Sequence, residues 1–377
     1  MDFALSEEQE MFRGYLRKYL DDVGQTKLAR EYSKGKTNEL KATLQGLSEL
    51  GATGINIPEV YGGLELGTLD LVPVFEEMGR ALLPGCYLET MGFAVPLIKK
   101  YGTKAQKEKY LPEIAAGTRS ITLGVIEPKR DFSPYGIQCF AGKEGDDLVL
   151  NGTKTLVPDG DLADTYLLLV RTDEGDGQTG LSFVFVDHQD GVQLQLQKCI
   201  DESKHLVELS FNDIKIPNER LLGEEGQGWS ILEDGLLYLN AALSSMMVGG
   251  MEKVVDMATE YAKIREQFGQ PIGRFQAIKH RIVDMKLELE TARSLSYYAN
   301  WALESEEQER EATIYSARSF ATNAFIDVAS HNIQIHGGIG FSEEIDCHLF
   351  LKRARYYESY LGSVNYYNEQ IASGLGW

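Results

Sequence analysis

Between Ile121 and Leu222 the apolar residues of this chain change their period, and that change limits what it can fold into. The stretches "DDLVLNG", "TYLLLVRT", "LSFVFVDH", "VQLQLQ" and "LVELSFNDIKI" are short and rich in β-branched and aromatic residues, with Gly, Asp and Asn between them. "VQLQLQ" alternates strictly, as a strand with one wet face does. On either side the period is helical. Phe275, Ile278, Ile282, Met285 and Leu289 form one stripe, with Lys279, Asp284, Lys286 and Glu290 off it. Met251, Val254, Val255 and Ala258 form another, and Ala312 to Ile335 reads as a third long helix. In the first part, turn signals at Pro58–Gly63, Leu83–Gly85 and Tyr101–Thr103 separate helical segments, and Thr103 is placed to cap a helix that runs from Lys104 to Ala116. The expected fold is mainly α with a central β domain. A helical N-terminal domain covers 1–120, a compact antiparallel β domain (small barrel or sandwich) covers 121–227, and a helical bundle covers 228–377. A length of 377 residues accommodates two or three such cores.

Composition excludes several function classes. The net charge of −20 repels phosphate backbones, so nucleic acid is not an expected partner, although a local basic patch can still hold a phosphate-bearing cofactor. Cys86, Cys139, Cys199 and Cys347 fit no zinc or redox spacing and read as reduced thiols. His331, His336 and His348 lie near one another without a metal-type carboxylate pattern. No apolar run reaches membrane-spanning length, and the first residues lack the basic-then-apolar order of a secretory leader, so a cytoplasmic protein is expected.

Three stretches go beyond packing. Arg265-Glu266-Gln267-Phe268-Gly269-Gln270-Pro271-Ile272-Gly273 joins two long helices. It reads either as an ordinary turn with a solvated Arg or as a loop that grips a pyrophosphate bidentately. Gln334-Ile335-His336-Gly337-Gly338-Ile339-Gly340-Phe341 ends a helix in glycines, either a left-handed cap or a bare backbone surface for a nucleotide. Val125-Ile126-Glu127-Pro128 enters the β domain, and Asn151-Gly152-Thr153-Lys154 reads first as a hairpin turn.

Taken in order, eight segments resemble the acyl-CoA dehydrogenase family over almost the whole chain. They are "ELGATGINIPEVYGG" (49–63), "FEEMGRAL" (75–82), "YGTKAQKEKYLPEIAAG" (101–117), "VIEP" (125–128), "LNGTK" (150–154), "IPNERLLGEEGQGW" (216–229), "REQFGQPIGRFQAIKH" (265–280) and "IQIHGGIGF" (333–341). The resemblance implies a helical N-terminal domain, a central β-barrel and a C-terminal four-helix bundle. It also implies a flavoprotein oxidoreductase. In such an enzyme a carboxylate removes the α-proton of an acyl-CoA while the β-hydrogen passes as hydride to FAD.

The resemblance breaks at particular residues. The family's base is a glutamate in a Tyr-Glu-Gly-Thr segment, and the matching segment here is Tyr360-Leu361-Gly362-Ser363. A minority of the family carries its glutamate in a Leu-Glu-Arg context, where this chain has Leu239. The family's Thr-Glu-Pro is Ile126-Glu127-Pro128, and its following Gly-Ser-Asp is replaced by "KRDFSPYG" (129–136). Leu156, Val157 and Pro158 stand where an aromatic, an Ile/Val and a Ser/Thr contact the flavin ring, and proline brings neither hydroxyl nor N–H. The other half of the site is matched. In this family FAD lies across a subunit interface, with the pyrophosphate and adenosine held by the neighbouring chain, and Arg265, Phe268, Gln276, Gln334, Gly337 and Gly338 correspond to that set.

The resemblance therefore implies a chain with no catalytic base of its own. It would be one subunit of an α2β2 heterotetramer, paired with a homologous catalytic acyl-CoA dehydrogenase subunit, with two shared FADs. A bacterial branch active in lipid metabolism on bulky acyl-CoAs such as steroid side chains works as such pairs. Residues 333–355 resemble that branch, except that Ser342–Ile345 replaces its Thr-Trp-Glu-His. Two other readings stay open. One is a self-sufficient homotetramer with its base at Glu233, Asp234, Glu343 or Glu358, and the other is a flavin-free scaffold of the same fold.

Overall fold

The computed structural model describes residues 5–129, 131–173, 175, 177–305 and 309–377. Arg130, in the segment that departs from the family pattern, lies outside the described residues.

Helices fill the first part of the chain: α1 (Glu7–Asp22), α2 (Thr26–Tyr32), α3 (Asn38–Glu49), α4 (Thr68–Arg80), the short α5 (Tyr87–Glu89), α6 (Val95–Tyr101) and α7 (Lys104–Ala115). A π-helical turn, Thr90–Ala94, joins α5 to α6. Thr103 caps α7 as expected: its hydroxyl accepts the Gln106 N–H while the Gln106 side chain accepts the Thr103 N–H. Strands follow: β1 (Ile121–Gly124), β2 (Phe140–Glu144), β3 (Asp147–Pro158), β4 (Thr165–Arg171), β5 (Leu181–Asp187), β6 (Gln193–Gln197), β7 (Leu206–Pro217) and β8 (Leu221–Leu222). The last part holds α8 (Gly228–Ile264), a small hairpin of β9 (Glu266–Gln267) and β10 (Gln270–Pro271), then α9 (Gln276–Ala302), α10 (Arg310–His336), α11 (Cys347–Glu358) and α12 (Val364–Gly374). No helix among the described residues is long and apolar enough to cross a membrane.

The chain forms two compact units that cut across these runs. Residues 1–31, 68–83 and 240–377 make one, and residues 32–67 and 84–239 make the other.

The second unit carries the sheet. Its strands pair in the order β6-β7-β3-β2-β4-β5-β8, with β1 on β4. Most neighbours are antiparallel as the alternation requires, but β1 runs parallel to β4, and β2 meets β4 in one parallel pair, Phe140 with Arg171. β4 and β5 are buried at every position, which explains their continuous apolar runs. β6 is an edge strand, and the expected alternation breaks along it: Leu194 is half-buried, but Leu196 is 57% exposed and Gln197 is half-buried. The expected turn at Asn151–Lys154 is absent. β3 runs straight through it, because Gly152 takes φ +135° in a bulge and the Asn151 carboxamide bonds the Asp213 side chain and N–H across to β7, at 3.0 Å each. The β2–β3 reversal lies at Gly145–Asp146 instead.

In the first unit α9, α11 and α12 pack on α10, and α8 from Asn240 onward meets α9 at Ser245–Ser296 (2.9 Å) and α10 at Asn240–Arg318 (3.1 Å). The stripe on α9 is buried at Met285 and Leu289 and half-buried at Phe275, Ile278 and Ile282, where the helix emerges from the core. α4 crosses α8 with backbones in contact. A Cβ on Gly249 would lie 1.7 Å from the Glu76 carbonyl oxygen, and one on Gly79 would lie 1.9 Å from that of Met246. Beside this crossing Arg13 and Arg17 of α1 converge with Glu77 of α4 and Glu252 of α8, and Arg293 of α9 reaches Glu252 at 2.5 Å. Charges this buried are tolerated because each has an opposite partner.

The Gly249 contact is backbone against backbone, so no rotamer can relieve it. Gly249→Ala is expected to cost roughly 3 kcal/mol in urea unfolding. A loss below about 0.5 kcal/mol, the range of a surface substitution, would contradict the crossing geometry.

Candidate functional site

At the end of α8 the chain reverses over two residues. Gln267 pairs with Gln270, and between them Phe268 (φ +53°) and Gly269 (φ +75°) both take left-handed conformations. Glycine does this freely, whereas an aromatic residue there costs roughly 1–2 kcal/mol. Phe268 is 92% exposed, with the Phe275 ring edge-on at 6.0 Å. An exposed aromatic ring on a left-handed backbone is an uncommon combination. Arg265 braces the base of this hairpin. Its N–H donates to the Tyr261 carbonyl at 2.9 Å and its carbonyl accepts the Ile272 N–H at 2.8 Å. Its side chain is exposed and makes no ion pair among the described residues.

The glycine segment ends α10 close by. The His336 ring stacks on Tyr261 at 4.1 Å, tying the last turn of α10 to the last turn of α8. Burial holds the imidazole below its ordinary pKa, and Nδ1–H donates to the Asn332 carbonyl at 2.9 Å. The three glycines have different reasons. Gly337 sits at φ +63°, ψ −140°, which a side chain does not tolerate. Gly340 packs, since a Cβ there would lie 2.7 Å from the Ile333 carbonyl oxygen. Gly338 has neither reason: a Cβ there meets nothing within 4 Å, so its bare backbone faces open space. Gln334 and Gln276 are exposed at the end of α10 and the start of α9.

Residues that sequence reasoning passed over add charge. A surface cavity of about 510 Å³ beside the hairpin is lined by Ala262, Lys263, Pro271, Arg274, Lys279 and Ile282 among others. Lys263 bonds Glu260 at 2.6 Å, while Arg274 and Lys279 make no ion pair among the described residues. Two unpaired cations in a chain of net charge −20 form the local basic patch that a phosphate-bearing group requires. The signal was present as Lys263, Arg265, Arg274 and Lys279 within one short stretch.

The β-domain stretch is internally satisfied. Lys154, fully buried, bonds Glu127 at 2.7 Å, and Glu127 accepts the Gln138 and Cys139 N–H groups at 2.9 Å. Thr155 N–H goes to the Ile126 carbonyl at 2.8 Å, and Leu156 N–H goes to the Gln197 side chain at 3.0 Å. Pro158 has no N–H, and Asp159 N–H goes to the His205 carbonyl at 2.6 Å. The Asp159 carboxylate is buried against Lys204 and accepts the Gly85 N–H.

The two base positions are apolar and buried. Leu239 is 1% exposed and Leu361 is 7% exposed, the latter at φ +49°. The turn around Leu361 is held by Arg318, which is fully buried and whose guanidinium is pushed down by burial. Nε donates to Asn240 Oδ1 at 3.1 Å, Nη1 to the Thr322 hydroxyl, and Nη2 to the carbonyls of Tyr357 and Tyr360. No carboxylate is among these partners. The guanidinium instead meets the carbonyl end of α11 and the face of Tyr367, 5.4 Å from its centroid. The alternative carboxylates lie elsewhere. Glu233 accepts from Trp229 Nε1, Asp234 pairs with Lys100, Glu358 pairs with Arg355 on the surface, and Glu343 is exposed. Glu89, a carboxylate missed in the sequence, is 1% exposed at the start of the π-turn.

Residues 6–118 match the acyl-CoA dehydrogenase N-terminal domain and residues 226–376 match the acyl-CoA dehydrogenase C-terminal domain. A short-chain specific acyl-CoA dehydrogenase of Megasphaera elsdenii is 32% identical over 376 residues, covering 96% of each chain. The chain belongs to the acyl-CoA dehydrogenase family. Its members are FAD-dependent oxidoreductases acting on CH–CH bonds. Among solved structures, the butyryl-CoA dehydrogenase of Megasphaera elsdenii superposes with TM-score 0.89 at 28% identity, covering all of both chains. A chain from a structure described as electron transferring flavoprotein of Acidaminococcus fermentans superposes with TM-score 0.93 at 27% identity, covering 100% of this chain and 99% of that one.

Removing the Arg318 guanidinium takes its hydrogen bonds from the Asn240 amide oxygen and from the Tyr357 and Tyr360 carbonyls at once. Arg318→Met is expected to cost about 3 kcal/mol in urea unfolding, since each lost hydrogen bond to a charged donor costs about 1 kcal/mol or more. A loss below about 1 kcal/mol would mean that these bonds do not hold the Leu361 turn.

Proposed function

We propose that this acyl-CoA dehydrogenase family chain is the non-catalytic subunit of a heteromeric α2β2 enzyme. It gives the pyrophosphate and adenosine half of an FAD site to a homologous catalytic subunit, and the complex oxidises an acyl-CoA thioester. The segments 1–120, 121–227 and 228–377 serve as its domains.

The observation that carries this reading is an asymmetry between two surfaces. Arg265, Phe268, Gln276, Gln334 and Gly338 are exposed, and Arg265 is unpaired among the described residues. They suit a diphosphate and a flat adenine ring. The stretch from Thr155 to Asp159 has its N–H donors at 155, 156 and 159 already bonded within the chain, and none at 158. It does not suit a polar ring edge. FAD, when bound, supplies the hydride acceptor. On this chain the Arg265 guanidinium would neutralise the diphosphate, Phe268 would stack, and the bare Gly337–Gly338 backbone would admit close approach. Leu361 and Leu239 can accept no proton, so the base is assigned to the partner.

A homotetramer with an unusually placed base is the second reading. It would rest on Glu89, the buried carboxylate at the π-turn, because Glu233 and Glu343 are exposed, Glu358 is paired with Arg355 and Asp234 is paired with Lys100. A flavin-free scaffold leaves the strain at Phe268 without a purpose.

Purified alone, the chain is expected to be colourless. Co-expressed with a homologous catalytic acyl-CoA dehydrogenase subunit, it should give a yellow, active complex. A yellow homotetramer that oxidises an acyl-CoA would overturn the reading, and loss of that activity in Glu89→Gln would favour the second one. In the complex, Arg265→Ala is expected to weaken FAD retention by roughly a hundredfold, the value of a lost charge-assisted pair. Unchanged retention on gel filtration would remove Arg265 from the site.

A further inference from the structure

β3 carries a bulge between Lys154 and Val157, where its register against β7 shifts. At the bulge Leu156 takes φ +55°, a left-handed conformation that a branched side chain adopts at a cost. A bulge leaves its extra residue out of the ladder, so that residue's backbone donor needs another partner. Here the donor is already used. Gln197, on the edge strand β6, pairs with Leu206 of β7, and β7 separates it from β3. Its side chain reaches across β7 to the bulge. Gln197 Oε1 accepts the Leu156 N–H at 3.0 Å and the Thr155 hydroxyl at 3.0 Å, while Nε2 lies 2.8 Å from Thr155 Oγ1 and 3.4 Å from Glu208 Oε2.

We infer that Gln197 is a built-in plug: its carboxamide occupies the hydrogen-bonding position that the β3 bulge would otherwise offer to a flavin ring, and so keeps this chain's own β domain flavin-free. The inference rests on the lending role proposed above and names the residue that enforces it. A carboxamide carries a carbonyl oxygen and an N–H2 side by side in a plane, the same acceptor and donor pattern as the polar edge of a flavin ring. It therefore satisfies the bulge as a ring would, without a cofactor. Pro158 closes the strand beyond it. Proline donates nothing, and its carbonyl is taken by the Thr122 hydroxyl at 2.6 Å. Two devices thus act on one surface. One removes a donor and the other occupies a donor that remains. Restoring a hydroxyl at 158 alone leaves the bulge filled.

Two measurements on the isolated, purified chain test the plug. In hydrogen exchange, the Leu156 amide is protected in the wild type and is expected to exchange at least about tenfold faster in Gln197→Ala. Unchanged exchange would overturn the plug and leave the lending role standing. In the second, added FAD is followed by flavin fluorescence quenching. Pro158→Thr is expected to bind no better than wild type, while Pro158→Thr with Gln197→Ala binds at least about tenfold tighter than Pro158→Thr alone. Equal binding by the single and double variants, tight or absent, would also overturn it. Stoichiometric FAD on the isolated wild-type chain would overturn the lending role itself. Gln197→Met, which keeps length and bulk but offers no carboxamide, should match Gln197→Ala in both assays.

Discussion

The proposed use of this fold depends on the hydrogen-bond accounting of one bulge. A backbone donor that leaves the sheet must find a partner. At Thr155 and Leu156 the partners are the Ile126 carbonyl and the Gln197 side chain, and at Asp159 the partner is the His205 carbonyl. With Pro158 contributing no N–H, the strand end is closed from within. The consequence extends outward. The buried Lys204–Asp159 pair and the Glu127–Lys154 pair fix the two ends of this segment, so it has little freedom to rearrange around a ligand.

The helical unit answers the opposite requirement. Its buried charges set a rigid frame, with α1, α4, α8 and α9 joined through Arg13, Arg17, Glu77, Glu252 and Arg293. At its surface the same unit leaves Phe268 strained and exposed and Gly338 bare. Rigid support beneath an exposed surface is what the proposed shared site would need, because the cost of ordering the loop is met in folding rather than on binding. Arg318 belongs to this frame as well. A guanidinium held by carbonyls and an amide fixes the turn at Leu361 without placing a carboxylate there.

Much of the fold was legible in the sequence because it depends on local period. The change from helical to strand-like texture near Ile121 and the cap at Thr103 follow from residues a few positions apart. Asn151-Gly152 misled because its side chain bonds Asp213, a partner sixty-two residues away that no local pattern reveals. The parallel pairing of β1 with β4 was hidden for the same reason. The two compact units were also invisible, since each gathers separate stretches of chain. In the candidate sites, missing groups such as Leu361 and Pro158 were readable against the family pattern. The contacts of Gln197 and Arg318 were not, because they depend on reach across a strand or through a core.

The central claim is that two chains share one flavin, with this chain holding the diphosphate end. Flavin counted after release from the purified two-chain complex, against the protein concentration of each subunit, tests it most directly. The account predicts one FAD for every two chains, with subunits in equal amounts. One FAD for every chain would contradict it, because this chain's β domain would then hold a flavin of its own.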